Sequence, residues 1–513
     1  MKSFNLLTEN WIPVQQQGKF ETISLKRLLC KDEDWQICLF RDDMELAALQ
    51  LIVCLVQVVF MPKDEDELLD AYDEPMGEAD YDMGIKPFME WFDLLHPEYP
   101  FMQTATVQSE QSKTKEQIHP KNWASIQKLF IGLPESSSGS PTSNAFFNTI
   151  DEIESVSCGE SAIALFQQAT NGFGLGSHFY SVGLKGSMPL TTLVQESKLR
   201  NCVWGNVLNK EYLQQETSLL EENKNNKPSW VVPPSFDKNK PEPAHNIGLL
   251  RGLFWQPARI KLDVDNNLQV IGFLKNTGAS YLEGHWRHPH TPIDLIRFKN
   301  NTPKEKPFLS AKRDLPLWVQ MLSFFYTRNS EQDGVSRALV VTHYEKTVGR
   351  GNPINLAVGG YVKGESAESL EGRKHELYSL SSGWENQEKE MRLLISYGVN
   401  AQKALDTALY VFGLELKKKE EDKIKKDKDS NFIKRLKVTS KNNYYNNSEN
   451  IMHSILRTHM VDDTEEYKNK FIQLAKLTFN QVLSPYEHDP KLLSAIVVSR
   501  AGLNAALNKI GEN

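Results

Sequence analysis

A chain of 513 residues, 40% of them hydrophobic, is long enough for two to four domains and a sizeable core. Its 59 basic and 66 acidic residues give a net charge of −7, which excludes nucleic-acid binding driven by overall charge and leaves only local basic sites or a positively charged partner. The five cysteines are scattered without a C-x-x-C pair, and the N-terminus lacks a signal-peptide pattern; we therefore expect a cytoplasmic protein without a zinc knuckle or disulfide scaffold.

The first strong element is a helix predicted at Met44–Phe60, the most apolar stretch of the chain. At 17 residues, with one glutamate and two glutamines, it is too short and too polar for a membrane span, so we expect a buried helix and no membrane partner. Asp42 and Glu45 have the spacing of a capping box, which predicts that Asp42 caps this helix. The alternative interpretation of the Asp42–Asp43 pair is a metal-binding doublet.

Up to about residue 375 the pattern mixes short strands, scattered helices and long polar loops. Strands are predicted at 268–275 and 338–344, and helices at 86–95 and 315–326. Three long polar loops are predicted at 106–122, 134–144 and 221–246. The sequence therefore predicts an α+β fold with a large mixed α/β domain over residues 1–375.

From residue 376 the pattern becomes helical. Tyr467, Phe471 and Val482 recur on one helical face, and Asp489 with Pro490 has the signature of a capped helix start. Together with helices predicted at 388–416 and 444–459, these segments predict a C-terminal four-helix bundle over residues 376–513. The charged run at 417–437 fits either a solvated helix end or a phosphate-contacting arm.

The stretch ATNGFGLGSHFYSVGLKGS, residues 169–187, is rich in glycine. It matches neither the Walker loop nor the dinucleotide-binding turn, because Gly172, Gly174 and Gly176 have the spacing G-x-G-x-G. The preceding segment 161–169 reads as a helix that ends at the glycines, with Gly172 as a helix terminator. We therefore expect a loop whose backbone approaches another molecule closely, and not a nucleotide cradle.

The cluster HWRHPH, residues 285–290, is the best candidate for a metal site. His285, His288 and His290, with Asp294, would be the ligands of a metal-dependent nuclease or phosphodiesterase, which is the alternative function. A structural or stacking role is favoured, because the sequence has neither H-E-x-x-H nor a nearby cysteine pair. No catalytic constellation and no cofactor motif is found elsewhere.

Several stretches resemble the CasA family, the large subunits of type I-E CRISPR surveillance complexes (Cascade). They occur in the family's order along the whole chain, and this collinearity is more specific than any one of them. The stretches are NLLTENWIPV (5–14), RDDMELAALQLIVC (41–54), HPEYPFMQT (96–104), SAIALFQQA (161–169), RGLFWQPA (251–258), GFLK (272–275), HPHTP (288–292), VGGY (358–361) and FNQVLSPYEHDPKLLSA (479–495).

The resemblance implies a non-enzymatic subunit with a mixed α/β domain and a C-terminal four-helix bundle. Its implied partners are the CRISPR guide RNA, target double-stranded DNA and the other Cascade subunits, namely the backbone, small and 5′-handle-binding subunits. It implies recognition of the protospacer-adjacent motif (PAM) through the minor groove, help in opening the duplex, and recruitment of a helicase–nuclease. A scaffold without motif recognition remains a further alternative.

The resemblance also implies two loops that contact nucleic acid. Its glycine loop, which enters the minor groove beside the motif, corresponds to Gly172, Gly174 and Gly176. Gly172 matches the first family glycine, and the second falls at Leu175 by direct counting or at Gly176 if a three-residue insertion begins there. An aromatic loop that touches the guide handle and the adjacent DNA corresponds to Phe146, Phe147 and Asn148.

Two positions depart from the family pattern. The motif-reading lysine of the family falls at Thr277, two residues after Lys275, which could substitute for it if the strand end is displaced. The wedge that follows the GGY turn aligns with Gly364 and Glu365, and Lys363 is the candidate for its phosphate contact.

Overall fold

The computed structural model describes residues 2–104, 123–133, 152–172, 183–222, 224–300, 307–329, 334–364, 370–419, 431–458 and 464–511, with backbone only at 276–279 and 417–419. Helices and strands are both abundant, and the α+β class is confirmed. The chain divides into two compact units, one formed by Met1–Arg313 with Thr327–Leu377 and the other by Asp314–Tyr326 with Tyr378–Asn513.

The strands of the structure belong to several small sheets. They are β1 (Asn10–Gln16), β2 (Lys19–Ser24), β3 (Gln36–Ile37), β4 (Trp123–Ser125), β5 (Val156–Ser157), β6 (Thr191–Val194), β7 (Glu242–Pro243), β8 (Ala258–Val264), β9 (Gln269–Ala279), β10 (Leu282–Glu283), β11 (Ile293–Asp294), β12 (Val335–Ser336), β13 (Ile354–Lys363) and β14 (Leu370–Leu380). Two three-stranded sheets have the orders β2-β1-β3 and β14-β13-β6. In the four-stranded sheet β9 pairs with β8, β4 and β5, and its bounds confirm the strand predicted at 268–275.

The first unit also contains short and medium-length helices. They are α1 (Leu25–Cys30), α2 (Asp42–Val59), α3 (Glu65–Asp73), α4 (Glu78–Ile85), α5 (Cys158–Asn171), α6 (Leu199–Gly205), α7 (Lys210–Glu216), α8 (Leu249–Leu253), α9 (Leu295–Asn300) and α11 (Leu339–Lys346). The short helix α10 (Leu322–Phe325) lies in the second unit. Helix α2 is buried along most of its length, as its apolar sequence predicts. Its Gln57 is also buried and satisfied, because the side-chain amide exchanges two hydrogen bonds with the backbone of Leu208, at 2.8 and 2.7 Å.

Three sequence predictions in this unit are wrong in detail. Asp42 does not cap α2: the helix begins at Asp42 itself, and the Glu45 carboxylate accepts a hydrogen bond from the backbone N–H of Leu39 at 3.1 Å. The segment predicted as a strand at 338–344 forms α11, because its β-branched residues bury a helical face. In place of the helix predicted at 86–95, only Lys86–Phe88 is helical, as a 3₁₀ turn after α4.

The second unit contains the four long C-terminal helices. They are α12 (Glu388–Lys419), α13 (Asn431–Arg457), α14 (Thr464–Leu483) and α15 (Pro490–Leu507), and they pack on one another as the predicted bundle. The Asp489 carboxylate accepts from the backbone N–H of Lys491 at 2.8 Å and caps α15, with Pro490 in its first turn. The helix predicted at 315–326 is instead the 3₁₀ turn Leu317–Gln320 followed by α10. None of the helices within the described ranges is long and apolar enough to cross a membrane.

Candidate nucleic-acid interface

Three segments of the first unit carry most of the site residues predicted from the sequence. They are the aromatic segment (134–151), the glycine segment (173–182) and the inter-strand segment (365–369), which joins β13 to β14. Phe146, Phe147, Asn148, Gly174, Gly176 and Glu365 lie in them and so lie outside the described residues. The structure does describe the residues that flank each segment, here called the flanks.

The flanks of the three segments meet in one apolar cluster. Ile131 precedes the aromatic segment, Met188 follows the glycine segment, and Tyr361 precedes the inter-strand segment. These three side chains are 2–3% exposed and pack together, and Leu370, directly after the inter-strand segment, packs against them. The fold thus brings together residues up to 239 positions apart, and each of them lies within six residues of one of the three segments along the chain.

A buried carboxylate also joins these flanks by hydrogen bonds. Asp43 Oδ1 and Oδ2 accept from Arg41 Nε and Nη2 at 2.8 and 2.5 Å. Asp43 Oδ2 accepts in addition from the hydroxyl of Tyr361 at 2.6 Å and from Nε2 of Gln167 at 3.0 Å. The Arg41 Nη2 group donates to the carbonyl oxygen of Ile131 at 2.6 Å. We call Asp43, Arg41, Tyr361 and Gln167 the Asp43 network.

Electrostatics fix the protonation states in the Asp43 network. Burial raises the pKa of Asp43, but the Arg41 guanidinium and the Tyr361 hydroxyl outweigh it, and the pKa is lowered from its ordinary value. Burial, followed by the charge of Asp43, raises the pKa of Tyr361 well above its ordinary value. Asp43 is therefore ionised at neutral pH and Tyr361 keeps its proton, so both can hold these hydrogen bonds.

Asp42 and Asp43 do not form the metal-binding doublet that the sequence allowed. The Asp42 carboxylate accepts from Arg373 Nε of β14 at 2.5 Å, while Asp43 is directed into the Asp43 network. Both carboxylates are thus occupied by cations or hydrogen-bond donors of this chain, which ties the start of α2 to β13 and β14.

Helix α5 delivers the chain to the glycine segment as the sequence predicts. It begins at a capping box between Ser157 and Glu160 and ends at Asn171, with Gly172 as its C-cap. Gly172 is buried, and a Cβ atom there would lie 2.3 Å from the carbonyl oxygen of Gln168. The carbonyl of Gly172 accepts from the backbone N–H of Met188 at 3.2 Å, which closes the two flanks of the segment. Close packing alone therefore requires a glycine at position 172.

A buried lysine connects the same two flanks. Lys185 is 2% exposed, and its Nζ donates to Asn171 Oδ1 at 2.6 Å and to Thr191 Oγ1 at 3.2 Å. Nδ2 of Asn171 donates to Oε1 of Gln50 on α2 at 3.0 Å. Burial lowers the pKa of Lys185 from 10.5 to about 7, the nearby Cys54 opposing this weakly. The base of the glycine segment is therefore anchored to α2 and β6 through a buried polar chain.

Two of the three candidate histidines, His288 and His290, belong to this polar chain. Gln50 Nε2 donates to His290 Nδ1 at 3.2 Å, and the backbone N–H of His290 donates to His288 Nδ1 at 3.1 Å. Both rings are 1% exposed; burial lowers the pKa of His290 to about 3 and that of His288 well below its ordinary value. His285 instead lines an open cleft of about 720 Å³.

The geometry of these histidines does not support the nuclease alternative. Across the ranges that the structure describes, they are not part of any group of three His, Cys, Asp or Glu ligand atoms close enough to hold one ion. Asp294, the suggested carboxylate ligand, accepts from the backbone N–H of Arg297 at 3.0 Å and pairs with its side chain. Nδ1 of His288 and Nδ1 of His290 are instead engaged in hydrogen bonds within the protein, which supports the structural role that the sequence favours.

The predicted lysine sites lie in different sheets. Lys275 is in β9 opposite Ile260 of β8, and Thr277 follows in the same strand, where the structure describes only the backbone. Lys363 is the exposed last residue of β13, with Gly364 directly after it. Lys363 therefore lies two residues beyond Tyr361 of the Asp43 network.

Sequence reasoning missed the two buried polar systems that join the segments. The sequence pattern presents Asp43 only as part of a doublet and indicates no role for Gln167, Tyr361 or Lys185. One signal was available: Gln50 and Gln57 interrupt the most apolar stretch of the chain, and buried polar side chains require partners. The partners themselves lie more than a hundred residues away, so no local pattern identifies them.

Solved structures with the same fold cover nearly the whole chain. Thermus thermophilus CasA (Cse1) matches with a TM-score of 0.71 at 17% identity, covering 99% of this chain and 100% of that chain. Cse1 from Acidimicrobium ferrooxidans matches with a TM-score of 0.71 at 16% identity, covering 99% of each. A chain of a structure described as a CRISPR RNA-guided surveillance complex matches with a TM-score of 0.67 at 13% identity, covering 98% and 100%. At these identities the likeness establishes the fold.

Family membership comes from the sequence match. The family described as CRISPR-associated protein Cse1 matches residues 5–482, a range that includes all three segments and ends before α15. This agrees with the collinear stretches found in the sequence, and the resemblance to the CasA family is confirmed. The chain belongs to the CRISPR-associated Cse1 (CasA) family.

Proposed function

We propose that this chain is the large, non-catalytic subunit of a type I-E CRISPR surveillance complex (Cascade) in antiviral defence. Its task is to recognise the PAM in target double-stranded DNA through the minor groove and to promote duplex opening and R-loop formation. Membership of the Cse1 family supports the assignment to the complex. The observation that supports the recognition role is that the flanks of all three predicted nucleic-acid-binding segments meet in one cluster.

The glycine segment is the proposed minor-groove element. The minor groove of B-DNA is about 6 Å wide and distinguishes base pairs poorly, so a backbone with few side chains fits it and tolerates several motif sequences. Gly172 closes the helix that leads to this segment, and Gly174 and Gly176 are the proposed contacts. Lys275, the neighbour of Thr277 in β9, is the proposed replacement for the motif-reading lysine of the family.

The other two segments provide the guide and wedge contacts. Phe146 and Phe147 are the proposed residues that stack on unpaired bases, an interaction worth about 1–3 kcal/mol per base, and Asn148 follows them in the sequence. Lys363 is exposed at the end of β13, where it can contact a phosphate beside the wedge formed by Gly364 and Glu365. Because the flanks are joined, motif recognition and strand separation are expected to occur at one place on the protein.

The remaining partners follow from the same assignment. With a net charge of −7 the isolated chain should bind DNA weakly and in a salt-sensitive way, so guide-carrying subunits supply most of the positive surface. The guide RNA provides sequence specificity by base pairing, while this chain reads the adjacent motif. A helicase–nuclease recruited after R-loop formation performs cleavage, which is consistent with the lack of a hydrolytic centre at His288 and His290.

Base analogues in the target DNA test minor-groove recognition directly. The preferred motif is first selected from a library of targets by the guide-loaded complex. Two replacements change the minor groove: inosine in place of guanine removes an amino group there, and 2,6-diaminopurine in place of adenine adds one. One replacement changes the major groove: 7-deazaguanine in place of guanine lacks N7. Minor-groove changes should alter target affinity severalfold, and the major-groove change should stay within about twofold. The reverse pattern would contradict the proposal.

A further inference from the structure

The Asp43 carboxylate contacts residues from three separate parts of the first unit. Arg41 binds it from the start of α2, Gln167 from the middle of α5, and Tyr361 from β13. The side chain is 10% exposed, as is that of Arg41. Two of these partners also contact each other, since Nε2 of Gln167 donates to the hydroxyl of Tyr361 at 2.8 Å. The carboxylate is therefore the common acceptor of a closed hydrogen-bond network.

Each partner of Asp43 leads to one of the three segments within a short distance along the chain. Arg41 holds the carbonyl of Ile131, three residues before the aromatic segment. Gln167 is in α5, five residues before its C-cap Gly172. Five residues of helix correspond to about 7.5 Å along the helix axis. Tyr361 lies four residues before the inter-strand segment. The three flanks are thus connected to the same carboxylate through Arg41, Gln167 and Tyr361.

The network is suited to positioning because charged hydrogen bonds are short, strong and directional. Both oxygens of the Asp43 carboxylate accept hydrogen bonds from the Arg41 guanidinium, and this pair of bonds fixes the plane of the carboxylate. Its Oδ2 atom also accepts from the hydroxyl of Tyr361 and so fixes the position of that hydroxyl. Exchange of the carboxylate for an amide of equal size introduces N–H groups that face other donors and leaves Arg41 without a charged acceptor. Such a change disturbs all three flanks together.

We propose that Asp43 is the positioning residue that couples motif recognition by the glycine segment to strand separation beside β13, with Tyr361 as its direct link. This inference rests on the proposed function and adds to it a residue outside every segment that contacts nucleic acid. Asp43 acts through Tyr361, Gln167 and Arg41, and touches neither guide nor target itself.

The test compares three variants in the guide-loaded complex. Asp43→Asn removes the charge of the carboxylate, and Tyr361→Phe removes only the hydroxyl while keeping the ring in the apolar cluster. Glu242→Gln is the matched control: Glu242 of β7 is also a largely buried carboxylate, and it accepts from Nε and Nη2 of Arg251, both at 2.7 Å. Glu242 has no contact to the flanks among the described residues, so it reports the general effect of losing a buried ion pair.

Two quantities are measured for each variant. The first is the ratio of the affinities for a target with a preferred motif and a target with a non-preferred motif. The second is the opening of the first target base pair, which 2-aminopurine fluorescence reports. Asp43→Asn and Tyr361→Phe should lower the affinity ratio at least fivefold and leave much of the bound preferred duplex unopened. Glu242→Gln should keep both quantities within twofold of the unchanged protein. Tyr361→Phe decides the result if Asp43→Asn does not fold.

The inference is overturned if Tyr361→Phe behaves like Glu242→Gln in a complex whose unchanged form discriminates between motifs. It is also overturned if opening and discrimination fall only in proportion to the loss of thermal stability, because a purely structural residue would do this. A complex that shows no motif dependence with the unchanged chain contradicts the proposed function itself, and the inference falls with it.

Discussion

Replacement of Lys185 by methionine should remove a pH dependence of folding stability. In the folded chain Lys185 is buried at the base of the glycine segment, and burial lowers its pKa from 10.5 to about 7. Its hydrogen-bond partners Asn171 and Thr191 are uncharged acceptors. The folded protein therefore releases this proton near pH 7, while the unfolded chain holds it until about pH 10.5.

The sign and size of the effect follow from proton linkage. Between pH 7 and pH 10.5 the unfolded state binds more protons than the folded state, so the free energy of unfolding rises with pH. Below pH 7 both states are protonated and the folded state carries the full desolvation penalty. Integration from pH 7 to pH 8.5 gives a gain of roughly 1.5 kcal/mol for a group with these two pKa values.

Urea unfolding of the isolated chain between pH 7 and pH 8.5, followed by circular dichroism, measures this gain. The difference in unfolding free energy between the unchanged chain and Lys185→Met should grow by roughly 1.5 kcal/mol over this range in favour of the unchanged chain. Thr191→Val is the control, since it removes an acceptor of Lys185 but no titratable group and should keep the slope. Parallel curves for the unchanged chain and Lys185→Met would refute the reasoning.

Two further variants test other parts of the account. Gly172→Ala should lower the free energy of unfolding by about 1–3 kcal/mol, because the added Cβ would lie 2.3 Å from the carbonyl oxygen of Gln168. Gly372→Ala is the control, since a Cβ at Gly372 would have no other atom within 4 Å. It should change the free energy of unfolding by less than about 0.5 kcal/mol. Urea unfolding checks both, and equal stabilities would contradict the steric argument. Lys363→Ala should reduce the slope of log affinity against log salt concentration for target duplex by about 0.9, as expected for one lost phosphate contact. A salt titration with an unchanged slope would exclude that contact.

Local signals were sufficient for much of the fold. The junction between α5 and Gly172, the strand at β9 and the cap of α15 at Asp489 each depend on neighbouring residues, and the sequence predicts all three. The strand predicted at 338–344 failed because its β-branched residues favour a strand locally, while the buried face of α11 decides its structure. Asp42 failed as a cap because α2 begins at Asp42 itself.

The candidate site was predictable only in part, since its organising contacts are long-range. Family resemblance indicates the segments, but the cluster of Ile131, Met188 and Tyr361 joins residues separated by 57 and 173 positions. The contact between Asp43 and Tyr361 spans 318 positions. No periodicity or motif carries such information, because it depends on how α2 packs against β13. The sequence favours a structural role for the histidines over a metal site, but the partners of His288 and His290 follow only from the fold.

The most direct test of the central claim is the affinity of the guide-loaded complex, assembled with and without this chain, for two target duplexes that differ only in the adjacent motif. The account predicts that the complex with the chain binds the preferred duplex much more tightly than the other. It also predicts that the complex without the chain binds both weakly and equally. Equal affinity for the two duplexes in the presence of the chain would contradict motif recognition and favour a scaffold role.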